Sequence, residues 1–216
     1  PLTMAQSMRM PNYKLTSFKG RGRAEVAREM LFLGNVPYQE QRVAMDHWPS
    51  LRPGTPSGNV PELEANGKKL TQPFAIYRYL AQELGFNGSS PFEAAQIDSL
   101  AELHREYEEE IDSLMAVLFG FSEGNREEMV KAIGEPARDK YFPMLEDIAK
   151  KSGSTGHFIG TKLTWVDLLI AEHVSIMEHQ IPGFLAYYPH VLKTTKKILD
   201  TPRLREWAKK RAESTY

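Results

Sequence analysis

The chain has 216 residues, no cysteine, and a formal net charge of −1 from 27 basic and 28 acidic side chains. This length is enough for one large or two small domains, and the 41% hydrophobic content is enough for a sizeable core. The lack of cysteine excludes disulfides, thiolate metal sites and a cysteine nucleophile, and it fits a reducing compartment. The balanced charge gives no reason to expect nucleic acid or an anionic membrane as a partner, and no apolar run is long enough to span a bilayer. Residues 1–10 lack the apolar segment of a signal peptide and are predicted to be a flexible extension.

The first part of the chain has the pattern of a β-α-β unit. Residues 12–18 alternate between apolar and polar side chains and predict a strand. A glycine-containing turn at residues 20–23 leads into an amphipathic helix that Gly34 ends, and residues 38–43 predict a second strand. A helix that connects two strands at this spacing predicts a parallel pair.

A β-hairpin and a further helix are predicted next. Val60–Pro61 leads into a strand, and Asn66-Gly67 is the strongest short signal for a two-residue hairpin turn. A proline at this point belongs at a strand start or an edge, where the backbone of Val60 can grip a peptide-like ligand as another strand would. The second strand of the hairpin leads directly into a helix over Gln72–Leu84, which Gly85 ends.

The remainder of the chain is helical in pattern. Turn-forming residues at 86–91 predict a linker, and apolar residues spaced by three and four predict one long helix through residues 100–118. Residues 126–151 predict a helix that its two prolines kink or break. Thr164-Trp165-Val166-Asp167 is a capping-box pattern that opens an apolar helix, and Thr201 is predicted to cap the last one.

Motifs with an obvious chemistry are few. The Gly20-x-Gly22 sequence lacks the third glycine and the acidic residue of a dinucleotide loop. The six histidines have no metal-ligand spacing, and a serine–histidine–aspartate triad cannot be recognised from spacing alone. These residues therefore predict an α/β domain, a helical domain and a proline-marked cleft between them, but they do not name a reaction.

A resemblance to a known protein family indicates which reaction to expect. The chain resembles the cytosolic glutathione transferases over residues 11–216, most closely the sigma class with its nematode, molluscan and prostaglandin-D-synthase-type members. The resemblance is carried by motifs in a fixed order: Pro11-Asn12-Tyr13-Lys14-Leu15-Thr16, Arg21-Gly22-Arg23-Ala24-Glu25, Trp48-Pro49, Val60-Pro61, Ala75-Ile76-x-Arg78-Tyr79-Leu80, Leu163-Thr164-Trp165-Val166-Asp167-Leu168 and Lys210-Arg211.

The resemblance implies an α/β plus all-α fold. A thioredoxin-like glutathione-binding domain would cover residues 11–85, a linker residues 86–91 and an all-helical domain residues 92–216. Members of this family are usually cytoplasmic homodimers that act in detoxification. Glutathione would be the co-substrate, with no metal, and a small hydrophobic electrophile or apolar ligand the second partner.

The resemblance also implies roles for particular residues. The backbone of Val60, before a cis Pro61, would bind the cysteinyl part of glutathione, while Arg23 would lie beside the thiol. The glycyl end would be held by Trp48 and Arg52. The other expected glutathione contacts are Asn59, Gln72 and Pro73, with Glu106 reaching the glutathione of the partner subunit. The expected hydrophobic pocket consists of Phe18, Lys19, Tyr107, Met115 and Phe119, although such helical stripes are more often core.

Two positions depart from the family pattern. Ser17 stands where the family has a tyrosine whose hydroxyl favours the glutathione thiolate, and a serine hydroxyl falls roughly 4 Å short of that position. Pro73 stands where the family has a serine whose hydroxyl and N–H bind the γ-glutamyl carboxylate, and proline offers neither donor. Two functions therefore stay open: a sigma-like transferase of reduced activity, or a protein that binds apolar ligands such as haem or lipid or is structural, as the lens S-crystallins are.

Overall fold

The computed structural model describes residues 12–153 and 155–211, so the extension predicted at residues 1–10 lies outside the described residues. The described chain divides into two compact units, one ending at Leu84 and the other running from Gly85 to Arg211. Within these residues, no helix is both long enough and apolar enough to cross a membrane.

The first unit is a four-stranded sheet with helices. Its sheet has the strand order β2-β1-β3-β4; β1 and β2 are parallel, whereas β3 runs antiparallel to both β1 and β4. The predicted β-α-β unit and hairpin are therefore confirmed. The elements are β1 (Tyr13–Phe18), α1 (Glu25–Leu33), β2 (Tyr38–Val43), α2 (Trp48–Leu51), β3 (Glu62–Ala65), β4 (Lys68–Thr71) and α3 (Pro73–Leu84).

Local sequence explains these elements. Alternate residues of β1, beginning with Tyr13 and Leu15, are buried, because successive side chains of a strand point to opposite faces. Asn66 and Gly67 have φ angles of 52° and 81°, which is the pair of left-handed residues that the tight hairpin turn requires. Gly85, at φ 82°, follows the last residue of α3, as the sequence predicts.

The described residues of the second unit form helices and the loops that connect them, which confirms the predicted fold class. The helices are α4 (Pro91–Glu110), α5 (Asp112–Leu118), α6 (Arg126–Met129), α7 (Glu135–Lys151), α8 (Trp165–Gln180), α9 (Pro189–Leu199) and α10 (Pro202–Lys210).

Three helix predictions need correction or refinement. The single helix predicted through residues 100–118 is interrupted at Ile111, whose φ of −99° and ψ of 5° are not helical. The helix predicted at 126–151 is broken by a π-helical stretch over Val130–Gly134, and Pro136 lies in the first turn of α7, where proline fits. Thr201 precedes the last helix as predicted, but its side chain makes no capping hydrogen bond.

The predicted capping box at the start of α8 is present. The carboxylate of Asp167 is fully buried and accepts hydrogen bonds from the backbone N–H of Thr164 at 2.8 Å and from its hydroxyl at 2.9 Å. It also accepts one from the backbone N–H of Phe158 at 2.7 Å. Asp167 thereby fixes both the first turn of α8 and the loop that precedes it.

Candidate functional site

Sheet pairing places several predicted site residues at one end of the first unit. Thr16 of β1 pairs with Glu62 of β3, which in turn pairs with Thr71 of β4. Ser17, Pro61 and Gln72 are the residues directly next to these paired positions in the chain, on the side of this sheet end. Three segments that are distant in sequence therefore meet at the same sheet end.

The segment before β3 presents backbone groups at this end. The peptide bond between Val60 and Pro61 is cis, as the resemblance implies. Val60 is partly exposed, lies two residues before the first residue of β3, and makes no loop or turn hydrogen bond to another backbone group among residues 12–153 and 155–211. Its N–H and C=O are therefore suited to an extended, peptide-like ligand that pairs as a strand would.

Trp48 and Arg52 approach the same region from the segment between β2 and β3. The Trp48 ring packs edge-on against the ring of Phe18, the last residue of β1, with 5.3 Å between centroids. The Arg52 side chain lies against Gly58, because a Cβ atom added at Gly58 would be 3.3 Å from Nε of Arg52. The side chain of Asn59 is exposed. These contacts bring Trp48 to the end of β1 and Arg52 to the segment that leads into Val60.

The start of α3 has an unusual backbone. Gln72 has a φ of 75°, a left-handed conformation that is uncommon for a residue with a side chain and is found preferentially at functional sites. Its side chain is exposed. Pro73 is the first residue of the helix, so one of the N–H groups that a helix N-terminus can offer to an anion is missing.

The hydroxyl of Ser17 is committed to the interior of the unit. Ser17 is only 3% exposed. Its Oγ accepts a hydrogen bond of 2.5 Å from Nη2 of Arg28 and lies 3.3 Å from the carbonyl oxygen of Phe18, to which it donates. Its single O–H donor and one of its two acceptor positions are therefore in use within the fold.

The partner of Ser17 is the centre of a buried ionic network. Arg28, on α1, is fully buried and forms ion pairs with Glu25 at 2.9 Å and Glu40 at 2.5 Å. Its Nη1 also donates to the carbonyl oxygens of Gly20 and Arg21, each at 2.9 Å. The sequence analysis missed Arg28. The available signal was an arginine three residues after a glutamate in a helix whose other residues, apart from Glu29, are apolar. Arg28 therefore connects the loop after β1 to α1 and to β2.

Arg23 and Lys19 lie near this loop with exposed side chains. The Arg23 carbonyl accepts a hydrogen bond from the hydroxyl of Tyr77, and the Lys19 backbone N–H donates to the carbonyl of Val43 at 3.1 Å. The backbone of Arg23 and that of Lys19 are therefore each fixed by a hydrogen bond to another part of the unit.

The remaining predicted residues belong to the second unit. Glu106 is exposed on α4, and Met115 and Phe119 are partly exposed on and just after α5. Tyr107 is only 3% exposed, its ring stacks on Tyr141 at 5.0 Å, and burial raises the pKa of its hydroxyl well above the ordinary value. Tyr107 is therefore a core residue of this unit, which is the alternative that its helical spacing had left open.

Comparison with known proteins gives the family. The models for the N-terminal and C-terminal domains of glutathione S-transferase match residues 13–82 and 89–211. Glutathione S-transferase 1 of Ascaris suum is 38% identical over 96% of this chain and all of its own length. A Nu-class glutathione S-transferase structure from Haemonchus contortus has 35% identity and a TM-score of 0.86, covering 96% of this chain and all of its own. Prostaglandin D synthase of Nilaparvata lugens has 28% identity and a TM-score of 0.83, covering 94% and 100%. The chain therefore belongs to the glutathione S-transferase family.

Proposed function

We propose that this chain is a sigma-like glutathione transferase of low turnover, which joins the sulfur of glutathione to small hydrophobic electrophiles. The observation that carries the low turnover is the burial of the Ser17 hydroxyl, which Arg28 and the Phe18 carbonyl already occupy. Because the thiolate is the reactive form of glutathione, a Ser17 hydroxyl that is held in the interior would leave the thiol pKa closer to that of a free thiol.

Glutathione would lie along the end of the sheet described above. The backbone of Val60 is suited to pair with its cysteinyl part, and the exposed Gln72 side chain to bind its γ-glutamyl part. The glycyl carboxylate would meet the indole N–H of Trp48 and the guanidinium of Arg52, which are donors suited to a carboxylate. Asn59 would add a contact next to Val60, and Glu106 would reach the glutathione of a partner subunit.

The chemical step is a nucleophilic attack. The exposed guanidinium of Arg23 would stabilise the thiolate electrostatically while the thiol proton passes to water. The sulfur then forms a bond to the electrophilic carbon and the leaving group departs with the electron pair. Phe18, Lys19, Met115 and Phe119 stay predictions for the electrophile site.

A second function deserves a test because Pro73 weakens the anion site at the start of α3. If the resulting loss of glutathione affinity is large enough, the protein serves as a carrier of apolar ligands such as haem or lipid, or as a structural protein. The sigma-like class, the assembly into homodimers, the cytoplasmic location and a role in detoxification rest on the sequence motifs and remain part of the proposal. The identity is 35% to the Nu-class structure and 28% to the prostaglandin D synthase structure.

Calorimetric titration with reduced glutathione tests the binding half of this proposal. Pro73→Ser restores an N–H and a hydroxyl at the first turn of α3, and hydrogen bonds to a charged group contribute about 1.5–3 kcal/mol each. We therefore expect Pro73→Ser to bind glutathione at least about 100-fold more tightly than the unaltered chain.

Pro91→Ser is the matched control, since Pro91 is also the first residue of a helix and is exposed. It should leave the glutathione dissociation constant unchanged. Tight binding by the unaltered chain with no gain from Pro73→Ser would refute the idea that Pro73 limits the site. No binding at millimolar glutathione by either protein would leave the carrier or structural function.

A further inference from the structure

Three potential metal ligands meet inside the second unit. His104 and Glu108 lie one turn apart on α4, and His173 lies on α8, which packs against α4. One ligand atom from each of the three residues lies within 4.8 Å of the other two. The sequence analysis found no metal-ligand spacing because His104 and His173 are on separate helices. The signal that was available locally is the histidine four residues before a glutamate, since residues at that spacing lie on the same face of a helix.

One ring nitrogen in this cluster lacks a hydrogen-bond partner. His104 is fully buried, and its Nε2 makes no hydrogen bond to any of the described residues. The nearest acceptor recorded for it is Oε1 of Glu108, at 3.5 Å, which is longer than an ordinary hydrogen bond. Buried polar atoms in native proteins are nearly always satisfied, so an unsatisfied one that lies 3.5 Å from a carboxylate oxygen, on a ring packed against a second histidine, points to a missing group.

The other contacts resemble the outer shell of a metal site. The hydroxyl of Tyr141 lies 3.2 Å from Nδ1 of His104, which leaves Nε2 directed toward Glu108. The hydroxyl of Tyr107 lies 3.3 Å from Nε2 of His173 and holds that ring in place. Ligating histidines usually have such an oxygen partner on one ring nitrogen, because it fixes the orientation of the ring.

Charge and geometry also suit a divalent cation. The distance between Nε2 of His104 and Oε1 of Glu108 is 3.5 Å. Two ligand atoms that each lie about 2.0–2.2 Å from a tetrahedral zinc ion are separated by a similar distance. The Glu108 side chain is 20% exposed, which gives the ion a path from solvent and supplies a compensating negative charge.

We propose that His104, Glu108 and His173 form a binding site for a divalent transition metal of the zinc type. Two imidazoles and one carboxylate are a ligand set that zinc accepts, with a water molecule as the fourth ligand. The ion would join α4 to α8 and stabilise the helical unit. This site is independent of glutathione binding and of the proposed transfer reaction.

Zinc titration of the purified, chelator-treated chain tests the proposal. We expect about one Zn²⁺ per chain at this site, measured as bound metal after dialysis. The midpoint of thermal unfolding should rise by about 5–10 °C when free Zn²⁺ exceeds its dissociation constant about a hundredfold. Co²⁺ in place of Zn²⁺ should give the visible absorption of a tetrahedral nitrogen–oxygen site.

Two variants locate the site and two serve as controls. Glu108→Gln keeps a partly exposed side chain of the same size and should abolish the rise, as should His173→Gln. Glu109→Gln on α4 and His179→Gln on α8 remove the same groups at exposed neighbouring positions and should leave the rise intact. A rise that survives in Glu108→Gln, or its absence in the unaltered chain, would overturn the proposal, even if His173→Gln failed to fold.

Discussion

Replacing Arg28 by methionine is expected to lower the free energy of unfolding by about 3–5 kcal/mol. Methionine fills much of the volume but removes the guanidinium that pairs with Glu25, which is only 1% exposed, and with Glu40, which keeps only its ion pair with the partly exposed Arg42 among the ion pairs described. The hydroxyl of Ser17 and the carbonyls of Gly20 and Arg21 lose their donor as well. Breaking a buried ion pair on one side costs more than the pair contributes, because the remaining charge stays desolvated.

Arg42→Met is the control for this experiment. Arg42 bonds to the same Glu40 at 3.0 Å, but its side chain is 21% exposed, so water can replace it. Its loss should cost less than about 1 kcal/mol, as is usual for ion pairs near solvent. Urea unfolding followed by circular dichroism measures both variants. Equal losses for Arg28→Met and Arg42→Met would mean that burial does not set the strength of this network.

Introducing a tyrosine at position 17 is expected to raise the turnover number by about 10²–10³, because one positioned donor to a developing or bound anion contributes about that factor. The same change removes the acceptor of Arg28 and places a large side chain at a position that is 3% exposed. Its stability should therefore fall by about 1–3 kcal/mol, the cost of leaving a buried donor unsatisfied. Activity and stability are thus expected to change in opposite directions.

Ser17→Phe distinguishes the effect of the tyrosine hydroxyl from the effect of the aromatic ring. Phenylalanine imposes the same steric change and the same loss for Arg28, but it offers no donor to the sulfur. It should lose stability as Ser17→Tyr does and show no gain in turnover. Steady-state conjugation of an aromatic halide at saturating glutathione measures this difference. A gain in both variants would assign the effect to altered packing, and a gain in neither would mean that the site has diverged beyond this position.

Local sequence signals were sufficient for much of the first unit. Asn66-Gly67 defines a turn that needs two positive φ angles, and the spacing of apolar residues distinguishes α1 from the strands that flank it. Such features depend on a few neighbouring residues, so they can be read from a sequence. The Thr164 and Asp167 pair was predictable for the same reason.

Features that depend on tertiary contacts were not predictable in this way. The interruption at Ile111 leaves no proline or glycine signal, and the apolar spacing continues across it. Tyr107 has the spacing of a pocket residue but packs on Tyr141, which comes from another helix. The partners of Ser17 and the meeting of His104 with His173 likewise depend on which elements pack together, and spacing along the chain does not encode that.

The pKa of the bound glutathione thiol in the unaltered chain and in Ser17→Ala tests most directly whether Ser17 is structural or activates the sulfur. It can be measured from the ultraviolet absorbance of the thiolate as a function of pH, with glutathione at saturation. We predict that the thiol pKa stays within about one unit of the free value near 8.5 and is the same in both proteins, while Ser17→Ala unfolds more easily because Arg28 loses an acceptor. A thiol pKa that is strongly lowered in the unaltered chain and returns toward 8.5 in Ser17→Ala would contradict this account and make Ser17 the sulfur-activating residue.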